Sequence, residues 1–213
     1  ASTCKPSPRS QAFRKQYFPE ATTAEWNDWR WQVRNRITSV ETLSRILWLS
    51  AEEEAAIHAR GGMIPLNITP YYASLLDPMD PDQPMRRMVV PVTAEFERTA
   101  GESDDPLGED HDSPVPGLVH RYPDRVLFLV TGFCSTHCRY CTRSRMVGRH
   151  EEVHADRERW ERAIAYIERT PAVRDVLLSG GDPLTLPDES LDWLLARLRA
   201  IPHVELIRIG TKV

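Results

Sequence analysis

The run Val126-Leu127-Phe128-Leu129-Val130-Thr131-Gly132-Phe133-Cys134-Ser135-Thr136-His137-Cys138-Arg139-Tyr140-Cys141 constrains this chain more than any other stretch, because it sets three of the four cysteines at C-x3-C-x2-C spacing directly behind an apolar segment. The β-branched and aromatic character of Val126 to Thr131 predicts a buried strand. The thiols then lie on the loop that leaves the strand's C-terminal end, where α/β scaffolds carry their functional groups. Closely spaced thiolates suit soft metals and iron–sulfur clusters, and the pattern is not that of a disulfide framework. Three ligands would leave one iron of a four-iron cube open to a group that is not protein. A structural zinc would use the same cysteines but needs a fourth ligand. Cys4 is far away in a polar segment, and His137 could reach such a site only with strain.

With 213 residues, 41% of them hydrophobic and 27% charged, the chain can bury one substantial core or two small ones. No apolar run approaches the length of a membrane span. A net charge of -4 argues against a general nucleic-acid binder. Thiols kept available for metal imply a reducing, cytoplasmic compartment. Lys5, Lys15 and Lys212 are the only lysines.

Residues 1–20 read as a polar, disordered tail. Residues 21–117 read as a helical region closed by an acidic linker. A helix is expected over Thr22 to Ile37, with Trp26, Trp29 and Val33 on its packing face, and others at Val40 to Leu49, from Ser50 to Gly61-Gly62, and from Thr69-Pro70. Asp77 to Pro84 disfavours regular structure, and Thr93 to Thr99 is expected to hold a helical turn or two. In the linker Gly101 to Gly117, the acids Asp104, Asp105, Glu109, Asp110 and Asp112 read as solvated surface. Residues 118–213 then alternate at β/α spacing: strands at Val126 to Thr131, Asp175 to Leu178 and Val204 to Ile209, helices at Ala155 to Arg169 and Asp188 to Ala200. That rhythm builds a parallel sheet curling toward a TIM-like barrel, which three strands cannot close.

A second motif ends the second of those strands. Ser179-Gly180-Gly181-Asp182 places glycines where backbone can approach a ligand and a carboxylate where it can meet an ammonium; alone, the triplet Gly-Gly-Asp is an ordinary turn. His120-Arg121-Tyr122-Pro123-Asp124-Arg125 precedes the first strand, and Cys141-Thr142-Arg143 closes the cysteine loop. Together with the cysteine spacing and with Trp26-Asn27-Asp28-Trp29-Arg30-Trp31-Gln32, these motifs resemble the lysine 2,3-aminomutase family of the radical S-adenosylmethionine (SAM) superfamily.

The resemblance implies an α/β fold: a helical N-terminal region, then the first βα units of a partial TIM-like radical SAM barrel. It implies a 4Fe-4S cluster on Cys134, Cys138 and Cys141, and SAM held by Ser179, Gly180, Gly181 and Asp182. Asp182 stands where the superfamily more often has glutamate. Tyr140 would pack against adenine, unless it is a core tyrosine. Arg121 and Arg125 would bind the phosphate of pyridoxal 5′-phosphate (PLP), unless they merely pair with the acidic linker. Arg143 would clamp the substrate α-carboxylate, unless it is a surface charge. The implied activity is radical migration of an amino group from C2 to C3 of an amino acid, interconverting L-lysine and β-lysine. The implied partners are the amino acid, an electron donor such as flavodoxin or ferredoxin, and further copies of the full-length chain. The family's PLP lysine is expected beyond Val213, so the chain alone is expected to be an inactive fragment. Glutamate or arginine 2,3-aminomutase is the nearest alternative, and a non-catalytic iron–sulfur or zinc module is the alternative from another class.

Overall fold

The computed structural model describes residues 7–59, 64–147 and 156–212, and the chain divides into two compact units. The expectations that rest on Cys4, Lys5, Gly61, Gly62, Ala155 and Val213 fall outside the described residues.

One unit comprises residues 1–100 with 135–141. Its described part opens on helix α1 (Pro8–Tyr17), where a disordered tail is expected from sequence. Aromatic packing overrides the polar composition: Phe13 lies against Tyr17, Phe18 and Trp26, and Trp26 against Trp31. The indole Nε1 of Trp26 donates to Oγ of the buried Ser10 at 3.1 Å, and Arg9 donates to the Leu76 carbonyl at 2.7 Å.

The single helix expected over Thr22 to Ile37 is two short ones, α2 (Thr23–Trp26) and α3 (Trp29–Arg34). Asp28 causes the break, because its carboxylate accepts from Arg30 N at 2.9 Å and starts a new helix. The restart turns Trp31 inward and leaves Trp29 39% exposed, so Trp26 is buried as the sequence pattern expects while Trp29 is not.

Helix α4 (Val40–Leu43) is shorter than expected. Helix α5 (Ala51–Ala59) begins with the reciprocal Ser50–Glu53 bonds of a capping box, Ser50 N to Oε2 at 2.9 Å and Glu53 N to Oγ at 3.2 Å. Helix α6 (Pro70–Ala73) is capped by Thr69, and α7 (Pro84–Arg87), not anticipated, uses Pro84 at its first position. Thr93–Phe96 forms one 3₁₀ turn.

Ile37, Leu43, Leu47, Ile68, Val89 and Val90 fill the core of these elements. Within it Arg86 is fully buried. Its Nε and Nη2 donate to Glu53 at 2.9 and 2.6 Å, Nη2 also to the Trp48 carbonyl at 2.6 Å, and Nη1 to the Asp77 carbonyl at 3.1 Å. A charge tolerates burial only when paired and hydrogen-bonded in this way.

The other unit comprises residues 101–134 and 142–213. Strands β1 (Leu118–Tyr122), β2 (Arg125–Thr131), β3 (Asp175–Gly180) and β4 (Leu206–Ile209) form an open sheet in that order; β1 is antiparallel to β2, and β2, β3 and β4 are parallel. β1 is an addition to the three expected strands, an edge whose outer half, Arg121 and Tyr122, is polar and exposed. Helix α8 (Arg157–Glu168) links β2 to β3, and α9 (Asp188–Arg199) links β3 to β4. Both pack on one face: Trp160, Ile164 and Ile167 of α8 and Leu194 and Leu198 of α9 close over Val126, Phe128, Val130, Val176 and Leu178. This is the α/β arrangement of a partial TIM-like barrel, not closed. Among the described residues no helix is long and apolar enough to cross a membrane.

Candidate active site

The parallel strands end at a stitched pair of loops. Opposite the irregularity between Leu129 and Thr131, Gly180 adopts φ +120°, and a Cβ on it would stand 2.2 Å from the Thr131 carbonyl oxygen. A Cβ on Gly181 would meet the Phe133 carbonyl oxygen at the same distance. Asp182 N donates to that carbonyl at 2.8 Å, and Phe133 N donates to Thr131 Oγ1 at 3.1 Å. The two glycines thus let the backbone that leads into Cys134 lie against the end of β3. The space a side chain would take is filled by protein.

Asp182 is 5% exposed and gathers three donors: Leu184 N at 3.0 Å, Thr211 Oγ1 at 2.8 Å and Lys212 N at 2.7 Å. It joins the end of β3 to the segment after β4. Ser179, on β3, is half-buried.

Cys138 and Cys141 belong to the other unit, in a turn closed by Cys141 N donating to the Cys138 carbonyl at 3.3 Å. This segment is tied down around His137 and Arg139. His137 N donates to the Asn67 carbonyl at 2.9 Å; its Nδ1 lies 2.9 Å from the Pro65 carbonyl, and its Nε2 lies 3.2 Å from the Asn67 side-chain amide. Nδ1 is therefore the donor and Nε2 the acceptor, a neutral ring. Burial first, then the nearby Arg36 and Arg139 charges, hold its pKa below the usual histidine value against the Pro65 bond. With both ring nitrogens committed, His137 is not a fourth metal ligand. Tyr140 is 60% exposed and so is not a core tyrosine.

Cys134, Cys138 and Cys141 are all half-buried. Among the described residues no three His, Cys, Asp or Glu side chains are gathered closely enough to hold a metal ion. Three thiols, with His137 committed elsewhere, are a donor set that suits an iron–sulfur cluster better than tetrahedral zinc.

Arg121 and Arg125 lie at the N-terminal end of β2, about 20 Å along the strand from Thr131 at ~3.3 Å per residue. Arg125 donates to both Asp124 oxygens, at 2.9 and 3.2 Å, and Arg121 pairs with Asp112 at 3.8 Å and with the Leu107 carbonyl. As placed, these two guanidiniums are engaged with protein oxygens, so neither is turned to a phosphate.

Arg143 faces Glu109, with Nη2 to Oε1 at 2.7 Å. Arg145 meets Asp105 at 3.2 Å and Asp110 at 3.0 Å. Asp105, Glu109 and Asp110 are thus partners of the arginines that follow the cysteines, a role that a reading as solvated surface misses for the buried Glu109 and half-buried Asp105. Asp104 and Asp110 are exposed as expected, and Asp112 pairs with Arg121 instead. The matching signal is the basic Arg143-Ser144-Arg145 set against an acid-rich linker. Glu95 and Asn67, which hold the cysteine turn, carry no such signal.

Residues 128–213 match the family model of the radical SAM superfamily. The parallel strands of the open sheet, from Phe128 of β2 onward, and the three-cysteine loop fall within this radical SAM match. Over 93% of its length the chain is 51% identical to the L-lysine 2,3-aminomutase of Clostridium subterminale, covering 48% of that protein. It is 50% identical to the L-lysine 2,3-aminomutase of Bacillus subtilis over 88% of the chain and 40% of that protein, and 40% identical to the glutamate 2,3-aminomutase of Clostridioides difficile over 90% and 45%. The chain spans about half the length of the curated relatives it matches. It belongs to the lysine 2,3-aminomutase family of the radical SAM superfamily.

Proposed function

We propose that the full-length protein is a radical SAM aminomutase that moves an amino group between C2 and C3 of an amino acid, with L-lysine as substrate. What carries this reading is the three-thiol loop in a chain 51% identical, over 93% of its length, to a relative named L-lysine 2,3-aminomutase.

In this reading Cys134, Cys138 and Cys141 hold a 4Fe-4S cluster, and Ser179, Gly180, Gly181 and Asp182 line the place of SAM. When bound, cluster and SAM supply the radical that takes hydrogen from the substrate. The chain's own residues position. His137 and Arg139 fix the turn that carries Cys138 and Cys141, and the Gly180–Asp182 segment fixes the backbone entering Cys134. Tyr140 offers its ring to adenine. Arg143 offers guanidinium N–H groups to the α-carboxylate, and fixing a substrate in this way is worth several powers of ten in rate. PLP dependence belongs to the proposal on family resemblance alone, since Arg121 and Arg125 would have to leave their acidic partners to bind a phosphate. An electron donor of the flavodoxin or ferredoxin kind, a homo-oligomer and a reducing cytoplasm complete the reading.

The 40% identity to a glutamate 2,3-aminomutase supports glutamate as the second substrate reading. Full-length protein, reconstituted anaerobically with iron, sulfide, SAM and PLP, is expected to convert L-lysine to β-lysine. Formation of β-glutamate from L-glutamate instead would install the second reading. Cys138→Ala is expected to lose both cluster absorbance and SAM cleavage; stoichiometric zinc in place of iron and sulfide would make the protein a metal-binding module.

A further inference from the structure

Glu109 is 6% exposed, although it lies in a linker of acids and prolines. Arg143 Nε donates to both of its carboxylate oxygens at 3.1 Å, and Nη2 donates to Oε1 at 2.7 Å. These bonds take the Nε–Nη2 edge of the guanidinium. Nη1 makes no hydrogen bond among the described residues, and the Arg143 side chain keeps 20% of its surface exposed.

The linker around Glu109 is itself pinned. Gly108, at φ +65°, closes a turn by donating to the Asp105 carbonyl at 3.2 Å, and Asp110 N donates to Asp105 Oδ2 at 2.8 Å. The Asp110 N–H first, then the Glu109 N–H and the Arg145 charge, hold the Asp105 carboxyl below its usual range against burial. Arg145 spans Asp105 and Asp110. Glu109 is thus a fixed carboxylate between anchored neighbours.

A guanidinium is planar, so holding one edge decides where the other points. Net charge cannot do that work here: Arg143 and Arg145 give +2 against −3 from Asp105, Glu109 and Asp110, a sum of −1. A second carboxylate would be recruited only by N–H groups already aimed at it.

We propose that Glu109 is a positioning residue that grips the Nε–Nη2 edge of Arg143 and thereby presents the Nη1 side to the carboxylate of the amino-acid ligand. The inference rests on the reading of Arg143 as the carboxylate clamp. It is tested in full-length holoenzyme by equilibrium dialysis of two probes: whichever of L-lysine, L-glutamate and L-arginine the enzyme turns over, and the α-carboxamide of that amino acid. Glu109→Gln keeps the side-chain volume but removes the charge and one of the two acceptor oxygens. It is expected to weaken amino-acid binding about tenfold while changing carboxamide binding less than about twofold, since a tenfold change is about 1.4 kcal/mol. Equal weakening of both probes, or of neither, overturns the proposal. If Arg143→Gln weakens the amino acid and Glu109→Gln does not, this inference fails and the clamp stands. If Arg143→Gln has no effect, the clamp fails and this inference with it. Should Glu109→Gln not fold, Glu109→Asp, which keeps the charge and shortens the arm, is read by the same outcomes.

Discussion

Arg139 lies across the Glu95 carboxylate, Nη2 2.6 Å from Oε2 and Nε 3.1 Å from both oxygens, while its Nη1 donates to the Ile64 carbonyl at 2.7 Å. Its own backbone N–H donates to the Met88 carbonyl at 2.9 Å. The residue between Cys138 and Tyr140 is therefore held at both its backbone and its side-chain end, which sets the shape of the turn carrying two of the three thiols. Glu95→Gln removes one charge from a pair whose arginine side is 6% exposed. Hydrogen bonds to a charged group contribute about 1.5–3 kcal/mol, so the metal-free variant is expected to lose about 2 kcal/mol of stability in urea unfolding. It should also take up less iron and sulfide on reconstitution. Wild-type loading together with a wild-type unfolding midpoint would remove the positioning role of this pair.

Glycine at 180 is required by conformation and space together. At φ +120° an L side chain is strained, and its Cβ would sit 2.2 Å from the Thr131 carbonyl oxygen, a backbone atom that cannot step aside. Gly180→Ala is expected to cost about 2 kcal/mol or more, measured by chemical denaturation of the metal-free protein. Gly210→Ala is the control, because the nearest atom to a Cβ there is Ser179 Oγ at 3.5 Å, ordinary contact. It should change stability by less than about 1 kcal/mol. Equal costs at the two positions would contradict the close-approach account.

Sequence periodicity made the second unit legible because its elements obey simple rules. Trp160, Ile164 and Ile167 recur at helical spacing on α8, and β2 is apolar enough to be buried on both faces. The first unit was less legible because its helices are short and set by single residues. Asp28 breaks one expected helix into two, and Phe13 packs a segment whose composition reads as a tail. In the candidate site the cysteines, Ser179-Gly180-Gly181-Asp182 and Arg143 stand in compact motifs. Their partners are distant in sequence: Glu109 lies 34 positions before Arg143, and Glu95 lies 44 before Arg139. No local rule joins such pairs, since only tertiary packing brings them together. The same distance hid the burial of Glu109 and the fold-holding bonds of Asp182.

The aromatic anchoring of α1 predicts a stability effect at a position that composition would treat as neutral. Phe13 touches Tyr17, Phe18 and Trp26 with ring centroids 4.7 to 6.3 Å apart. Phe→Ala in a full core costs about 3–5 kcal/mol, and Phe13 is only half-buried, so about 2 kcal/mol is expected for Phe13→Ala. Tryptophan fluorescence should report the loss through Trp26. Retention of both the thermal midpoint and the fluorescence would mean that α1 does not pack on this cluster.

Asp182 allows structural and ligand-binding roles to be separated in one experiment. Its carboxylate accepts from Leu184 N, Thr211 Oγ1 and Lys212 N, so Asp182→Ala strips three donors of their acceptor in a site only 5% exposed. Each lost bond of this kind is worth about 1 kcal/mol, which sets the expected destabilisation of the metal-free protein at about 2–3 kcal/mol. Thr211→Ala, which removes one donor and leaves the carboxylate its two backbone partners, should cost about 1 kcal/mol. The measurement is urea unfolding with no iron, sulfide or SAM present, so nothing bound can contribute. If Asp182→Ala unfolds at the wild-type midpoint under those conditions, the carboxylate is not a fold-holding group, and any effect on SAM cleavage would come from the ligand alone. If it unfolds early while Thr211→Ala does not, the weight falls on the backbone donors of Leu184 and Lys212.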